Sequence, residues 1–358
     1  MRPPRRLRLW FNESYRGSYQ LIGFLRDNPD RVTVEVLGSH RMDSTPFLQA
    51  CDRVVPEPGG AAGDFVEAAL ARCRRDGVDV FVPGRHAAAV AQHRALFEAA
   101  GTRVMVSPAA AMRTLSAKAT MYAGAAGFGL RVPRHVLVRT VAGFRAACDE
   151  LADAGLRVCF KPDRDHGGRG FRLLDEAAGR TRALYEEPAW RIARRHAEEL
   201  LAQVPEFPPI VVSEYLDGPE LSIDCLADDG RLLVALPRSK SGPSWTRRLV
   251  PDGAAVQIAR ATAGGFRLGY LINVQVRYAG DEAVFLEVNP RASSGLYQSC
   301  RMGGVNLPYA ALRLLVTGDP GRLPAPQFGA AAIVYNESMP FRSPRTGDFA
   351  AEHAAAAS

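Results

Sequence analysis

Lysine is nearly absent from this chain: of 45 lysines and arginines only Lys118, Lys161 and Lys240 are lysines, which leaves 42 arginines. A compositional drift that turns surface lysines into arginine keeps a lysine mainly where a compact ammonium is needed. Long apolar runs are also missing. Nothing approaches the length of a membrane-spanning helix, and Asn12-Glu13 cuts the apolar run behind the basic opening before it can form a signal core. The six cysteines fall at 51, 73, 148, 159, 225 and 300 without CxxC pairs, and no His or Cys cluster has zinc-ligand spacing. A reducing cytoplasm is therefore the expected location. The first apolar run leads into Phe11-Asn-Glu-Ser-Tyr-Arg with no glycine triplet, which argues against a dinucleotide site. No basic helix or RNP-like aromatic strand accompanies the net charge of +7. Spread as they are, the arginines suit small anionic substrates, and nucleic acid is not an expected partner.

What is present is enough for two or three domains: 358 residues, 47% apolar and 23% charged. Residues 7 to 107 alternate short apolar runs with helical patterns, the pattern of an open parallel α/β sheet. Strands are expected at Leu7–Phe11, Val32–Leu37, Val78–Val82 and Val104–Val106, and helices at Tyr19–Arg26, Asp64–Arg75 and Ala87–Ala100. Ligands of such sheets bind beyond the carboxyl ends of the strands. That places Asn12, Glu13, Arg16, Ser39, His40, Arg41, Arg85 and His86 at the mouth, with His40 and His86 read as structural. From Pro108 a long Ala-rich helix carrying Lys118 is expected, then a strand at His135–Val138 and a helix at Val141–Ala154. Residues 183–204 read as a charged helix, Ile210–Cys225 as two strands about a short connector, and Leu271–Tyr278 with Ala283–Val288 as a hairpin.

Two segments carry chemistry. Lys161 ends the apolar run Val158-Cys-Phe and precedes Asp163-Arg-Asp-His166-Gly167-Gly168-Arg169-Gly170, a lysine ahead of a glycine-rich turn as phosphate binding requires. Further on, Phe285-Leu-Glu287-Val-Asn289-Pro-Arg291 sets a carboxylate and an amide oxygen two residues apart, so that on a strand both leave one face toward a hard cation. Arg291 follows with a planar fork suited to a phosphate oxygen.

In order along the chain, Lys118, Lys161, the GGxG turn, Glu214-Tyr-Leu-Asp-Gly-Pro-Glu220 and Gln275 ahead of Glu287-Val-Asn-Pro-Arg291 resemble the ATP-grasp superfamily. The likeness is greatest to its carbamoyl-phosphate-synthetase-like and biotin-carboxylase-like carboxylate-amine ligase branch. Phe11-Asn-Glu-Ser and Gly38-Ser-His40 are similar to ATP-grasp proteins of tellurium-resistance-type stress operons. The resemblance implies a mixed α/β and α+β fold, with a Rossmann-like pre-ATP-grasp domain at 1–107 and a two-subdomain ATP-grasp fold. Residues 108–206 would carry the glycine loop, 207–343 the metal site, and 344–358 a disordered tail.

By the same resemblance, Lys118, Lys161, His166, Gly167, Gly168 and Gly170 hold the ATP phosphates. Glu214, Tyr215 and Leu216 meet adenine, and Glu220 the ribose. Gln275, Glu287 and Asn289 hold magnesium, for which manganese could substitute. Arg291 and Lys161 are then the catalytic pair, with no side-chain nucleophile. The implied reaction joins a small carboxylate to an amine through an acyl phosphate, releasing ADP and phosphate. A kinase-like transfer and a non-catalytic ATP sensor stay open. Relatives commonly dimerise, so a homodimer is among the expectations. Substrate contacts are sought at Arg238, Lys240, Asn12 and Arg85, although Lys240 reads equally as a solvated turn. No biotin-carboxylase C-terminal domain or amidotransferase region is present in this sequence.

Overall fold

The computed structural model describes residues 3–15, 17–164, 168–179, 190–239, 246–335 and 337–340. Arg16, His166, Gly167, Lys240 and the tail 344–358 lie outside the described residues. In chain order the first elements are β1 (Arg6–Asn12), α1 (Ser18–Arg26), β2 (Thr33–Ser39), β3 (Arg53–Val54), α2 (Ala62–Asp76), β4 (Val80–Pro83), α3 (Ala87–Gln92), α4 (Arg94–Ala99) and β5 (Arg103–Val104). Next come α5 (Ala109–Thr114), α6 (Lys118–Gly127), β6 (His135–Val138), α7 (Val141–Asp153), β7 (Val158–Pro162), β8 (Arg172–Leu174), β9 (Arg191–Ile192), α8 (Arg194–Leu201) and β10 (Ile210–Glu214). Last are β11 (Glu220–Asp228), β12 (Arg231–Ser239), β13 (Thr246–Leu249), α9 (Gly253–Gly265), β14 (Tyr270–Ala279), β15 (Glu282–Asn289), α10 (Leu296–Gly303), α11 (Leu307–Thr317) and β16 (Ala331–Ile333).

These form a five-stranded sheet ordered β3-β2-β1-β4-β5, a five-stranded sheet β6-β10-β7-β8-β9 and a six-stranded sheet β15-β14-β11-β12-β13-β16. The fold is mixed α/β and α+β. Two compact units emerge, the described residues of 1–112, 221–274 and 289–358 in one and those of 113–220 and 275–288 in the other.

In the first unit β1 pairs in parallel with β2 and β4, the order of a doubly wound sheet. Its strands are buried on both faces because helices cover both, so β1 and β2 end in unbroken buried runs. Trp10 stacks on Phe81 with ring centroids 4.2 Å apart on one side. On the other side Leu9, Phe11, Ile22 and Leu25 share a core with Leu236, Leu296, Leu307 and Leu312. Asn306 ties α11 to α1: its Oδ1 accepts from the Tyr309 N–H at 3.0 Å, and its Nδ2 donates to the carbonyls of Phe24 at 2.7 Å and Asp27 at 2.9 Å.

The second unit is built on β10, antiparallel to β6 on one side and β7 on the other, with Phe144 and Leu151 of α7 sharing a core with Phe160 of β7 and Val212 of β10. Two expected helices are interrupted. Residues 87–100 form α3 and α4, which meet at His93, whose ring Nδ1 lies 2.9 Å from the Ala89 carbonyl. The Ala-rich helix breaks before Lys118 because Asp163, far off in sequence, caps the second piece. Its carbonyl accepts from the Lys118 N–H at 3.0 Å and its carboxylate from the Ala119 N–H at 2.9 Å. Of the expected helix at 183–204, Arg194–Leu201 is helical and 180–189 lie outside the described residues.

Asn306→Ala should lower stability by about 2 kcal/mol, the loss of a helix cap and two further hydrogen bonds. A fall of the urea midpoint with unchanged slope is the expected result.

Candidate active site

In the second unit the strand β7 carries Lys161 into register with Val211 of β10. The Lys161 ammonium donates to the Tyr122 hydroxyl at 2.9 Å and lies 5.5 Å from the centre of that ring. Tyr122 is fully buried on α6, and the ring of His135 packs against it at 4.8 Å. Burial opposes the Lys161 charge, but the Tyr122 hydroxyl and the Glu287 carboxylate carry its pKa above the ordinary lysine value. Burial, with Glu287 adding to it, likewise raises the Tyr122 phenol against the opposing pull of Lys161. The lysine is thus a fixed positive charge among neutral and negative partners. Lys118 is buried, and its ammonium donates to the Asp163 carbonyl at 3.5 Å.

The glycine turn follows β7. Gly168 and Gly170 have φ of +72° and +67°, which other residues adopt only under strain. A Cβ at Gly170 would also stand 2.7 Å from two carbons of the Pro162 ring. Glu214, at the end of β10, is buried, and its carboxylate accepts the Arg134 N–H at 2.9 Å with Arg131 3.8 Å away. Two guanidinium groups lie over the Tyr215 ring, Arg157 at 4.8 Å and Arg277 at 4.9 Å, and Arg277 also donates to the Tyr215 hydroxyl and the Gly218 carbonyl at 3.1 Å each. Leu216 is buried, and Glu220 opens β11. Gln275 lies on β14 and Glu287 on β15, neighbouring strands of one sheet. Asn289, the last residue of β15, belongs to the first unit. Glu287 and Asn289 flank the buried Val288, as alternation on a strand requires.

The chain then turns through Pro290 to Gly295 into α10, and a buried carboxylate in the first unit fastens this turn. Asp224 on β11 has no exposed surface. Oδ1 accepts from Asn273 at 2.9 Å and Ser293 at 2.6 Å, and Oδ2 from Ser299 at 2.6 Å, with Arg238 at 3.5 Å. Arg238, only 4% exposed, also donates to Ser299 at 3.0 Å and Ser222 at 3.4 Å. Its guanidinium fills the space that a Cβ at Gly295 would need. Arg291 itself is exposed, with Nη1 donating to the Ala292 carbonyl at 3.1 Å and its guanidinium 5.7 Å from the centre of the Tyr15 ring.

At the carboxyl ends of β1, β2 and β4, Asn12 is fully buried and bridges Glu57 at 3.0 Å and the Gly84 N–H at 2.9 Å. Ser39 donates to Glu57 at 2.5 Å and accepts from Trp10 at 2.9 Å. Burial, reinforced by the charge of Glu13, raises the Glu57 carboxyl above the usual carboxylate range. Burial opposes ionisation of Glu13 too, but side-chain and backbone donors of Arg41 and the charge of His40 hold its pKa low. Arg85 donates to the Pro58 carbonyl at 3.2 Å and the Gly60 carbonyl at 3.1 Å. Glu13 and His86 have φ of +45° and +53°, strained conformations at two strand ends.

Of the sequence-derived residues, Lys118 and Lys161 are joined through Asp163 and Tyr122 on α6 and β7, while His166, Gly167 and Lys240 lie outside the described residues. Sequence reasoning missed Tyr122, Asp224, Asn273, Ser299, Tyr15 and Arg277. Asp224 and Asn273 had a signal, since each interrupts an apolar strand, in Leu221-Ser-Ile-Asp224-Cys-Leu and Leu271-Ile-Asn273-Val. Among the described residues no three His, Cys, Asp or Glu side chains cluster to hold a metal, and no helix is long and apolar enough to cross a membrane.

Comparison with solved structures gives the frame for this geometry. N5-carboxyaminoimidazole ribonucleotide synthetase in its ADP complex superposes with a TM-score of 0.66 at 13% identity over 92% of this chain and 80% of that one. The biotin carboxylase domain of Hydrogenobacter thermophilus 2-oxoglutarate carboxylase, in complex with MgADP and bicarbonate, gives 0.65 at 14% over 90% and 73%. L-amino acid ligase from Bacillus licheniformis gives 0.63 at 17% over 88% and 75%. Residues 206–337 match a protein-family model described as ATP-grasp in the biosynthetic pathway with Ter operon. The chain has the ATP-grasp fold. Its sequence is similar to the carbamoyl phosphate synthase large chains of Streptomyces avermitilis, 29% identical over 52% of this chain and 17% of that protein, and of Kineococcus radiotolerans, 28% over 62% and 21%. The chain thus spans only about a fifth of the length of those curated relatives.

Asp224→Ala leaves the Arg238 charge buried without its carboxylate and should cost about 3–5 kcal/mol in chemical unfolding. Glu13 gives a pH dependence. A carboxylate with a depressed folded pKa contributes stability above its unfolded pKa and loses it as pH falls through the folded value. Glu13→Gln should therefore be less stable than wild type at neutral pH and approach it below about pH 4, followed by thermal unfolding across pH.

Proposed function

We propose that this chain is a magnesium-dependent ATP-grasp ligase that joins a small-molecule carboxylate to an amine and releases ADP and phosphate. The observation that carries the reading is the Lys161 ammonium, held by the buried Tyr122 hydroxyl beside the field of Glu287, with glycines of positive φ farther along the chain at 168 and 170. Such a charge followed by close-approach backbone suits nucleotide phosphates. The donor set fits a hard cation as well: Gln275, Glu287 and Asn289 offer oxygen only. The structural neighbours support the reading, two of them having been solved with ADP.

ATP, when bound, supplies the γ-phosphoryl that converts the substrate carboxylate into an acyl phosphate, whose phosphate the amine nitrogen displaces while shedding a proton. The protein's own work is positioning and charge neutralisation. Lys118 and Lys161 hold phosphate oxygens, and His166, Gly167, Gly168 and Gly170 are assigned to the same phosphates. Residues 214–216 and Glu220 hold adenosine, Gln275, Glu287 and Asn289 the magnesium, and Arg291 the phosphoryl group in flight. Asn12, Arg85 and Arg238 serve the substrates through the loops they hold in place, and Lys240 completes that set. The division at residues 107, 206 and 343, a cytoplasmic location and a homodimer belong to the same proposal.

Phosphate release with magnesium and ATP, measured across pools of carboxylates with and without amines, tests it. Lys161→Met and Glu287→Ala should each cut carboxylate-dependent release by about 10²-fold or more. A wild-type protein that releases no phosphate with any pool contradicts ligase activity. A phosphorylated product that survives hydroxylamine would show transfer to a stable acceptor instead.

A further inference from the structure

The connector after the first strand touches the Arg291 turn at three points, all within the first unit. The Tyr15 ring lies under the Arg291 guanidinium at 5.7 Å, a distance at which a cation is drawn to the ring face. The Tyr15 hydroxyl donates to the Ser293 carbonyl at 3.0 Å, on the far side of the same turn. Two residues on, Gly17 runs so close that a Cβ there would stand 2.8 Å from the Ser294 carbonyl oxygen. Burial raises the Tyr15 phenol well above its ordinary pKa, so the ring stays neutral and a donor at any working pH. From below, Ser293 is bound to Asp224. Arg291 is a long, exposed side chain on a turn, and without a surface to lie on it samples many rotamers.

We infer that Tyr15 is the positioning residue for Arg291: its ring face holds the guanidinium where a transferring phosphoryl group needs it, and its hydroxyl fixes the backbone that carries it. Tyr15 touches no reacting atom and acts through Arg291. The inference rests on the phosphoryl-transfer reading above.

The test needs no substrate. Binding of ADP with magnesium is measured with and without aluminium fluoride, which stands in for the transferring phosphoryl group. The gain in affinity from fluoride reports the charge provided by Arg291. Wild type should show a gain, Arg291→Ala should abolish it, and Tyr15→Leu should reduce it about tenfold while affinity for ADP alone stays unchanged. Tyr15→Phe, which keeps the ring face, should retain most of it. Added to Arg291→Ala, Tyr15→Leu should cost nothing further. A full gain in Tyr15→Leu, or a loss of affinity in the double variant beyond that of Arg291→Ala, overturns the assignment of Tyr15 alone. ADP binding with no fluoride gain in wild type overturns the phosphoryl-transfer reading and this inference with it.

Discussion

A carboxylate with no exposed surface, Asp224, is the constraint on which the exposed chemistry of the first unit depends. Removing it from water is costly, and the cost is offset only because Asn273, Ser293, Ser299 and Arg238 all point at it. Those donors come from β14, the Arg291 turn, α10 and β12, so one buried charge fixes four pieces of chain in one arrangement. An apolar residue of similar volume at 224 would leave the buried Arg238 guanidinium and three further donors without this acceptor, and it would specify nothing about the turn. With both the Tyr15 hydroxyl and Asp224 bonded to Ser293, the turn presents Arg291 from a fixed backbone, as the proposed stabilisation of a transferring group would require.

The second unit applies the same logic to the opposite sign. Lys161 is surrounded by buried side chains, yet its charge is favoured because the Tyr122 hydroxyl accepts from it and Glu287 adds to the field. Tyr122 sits one helical turn past the start of α6, and that start is set by the Asp163 cap just beyond Lys161 on the chain. Lys161 and the helix bearing Lys118 are therefore held by one short stretch, 161–163. This gives a physical reason for a lysine to persist in a chain that otherwise uses arginine.

Much of this was legible in the sequence and some was not, for identifiable reasons. Parallel strands buried on both faces read as apolar runs, so β1, β2 and β4 were visible. The Glu287-Val-Asn289 alternation was local and therefore readable. The break before Lys118 was not, because its cause is a cap from a residue in another element. Tyr15 and Asp224 were missed for the same reason: their partners lie 278 and 69 residues away at Ser293, and no local pattern encodes a contact of that range. Strand β3, with two residues, and the edge strand β16, with three, lacked the length for alternation to show. For Arg238, composition suggested an anion-binding loop, whereas the structure shows a buried guanidinium whose described partners are protein groups.

In the proposed enzyme, Glu287 and its neighbours join a metal to a nucleotide held by Lys161. Equilibrium titration with ATP, in excess magnesium and again with the metal chelated, on wild type and Glu287→Gln, tests it most directly. Magnesium should strengthen ATP binding in wild type, and the variant should lose most of that gain while keeping its metal-free affinity. Equal affinity with and without magnesium in wild type, or no ATP binding at all, would contradict it.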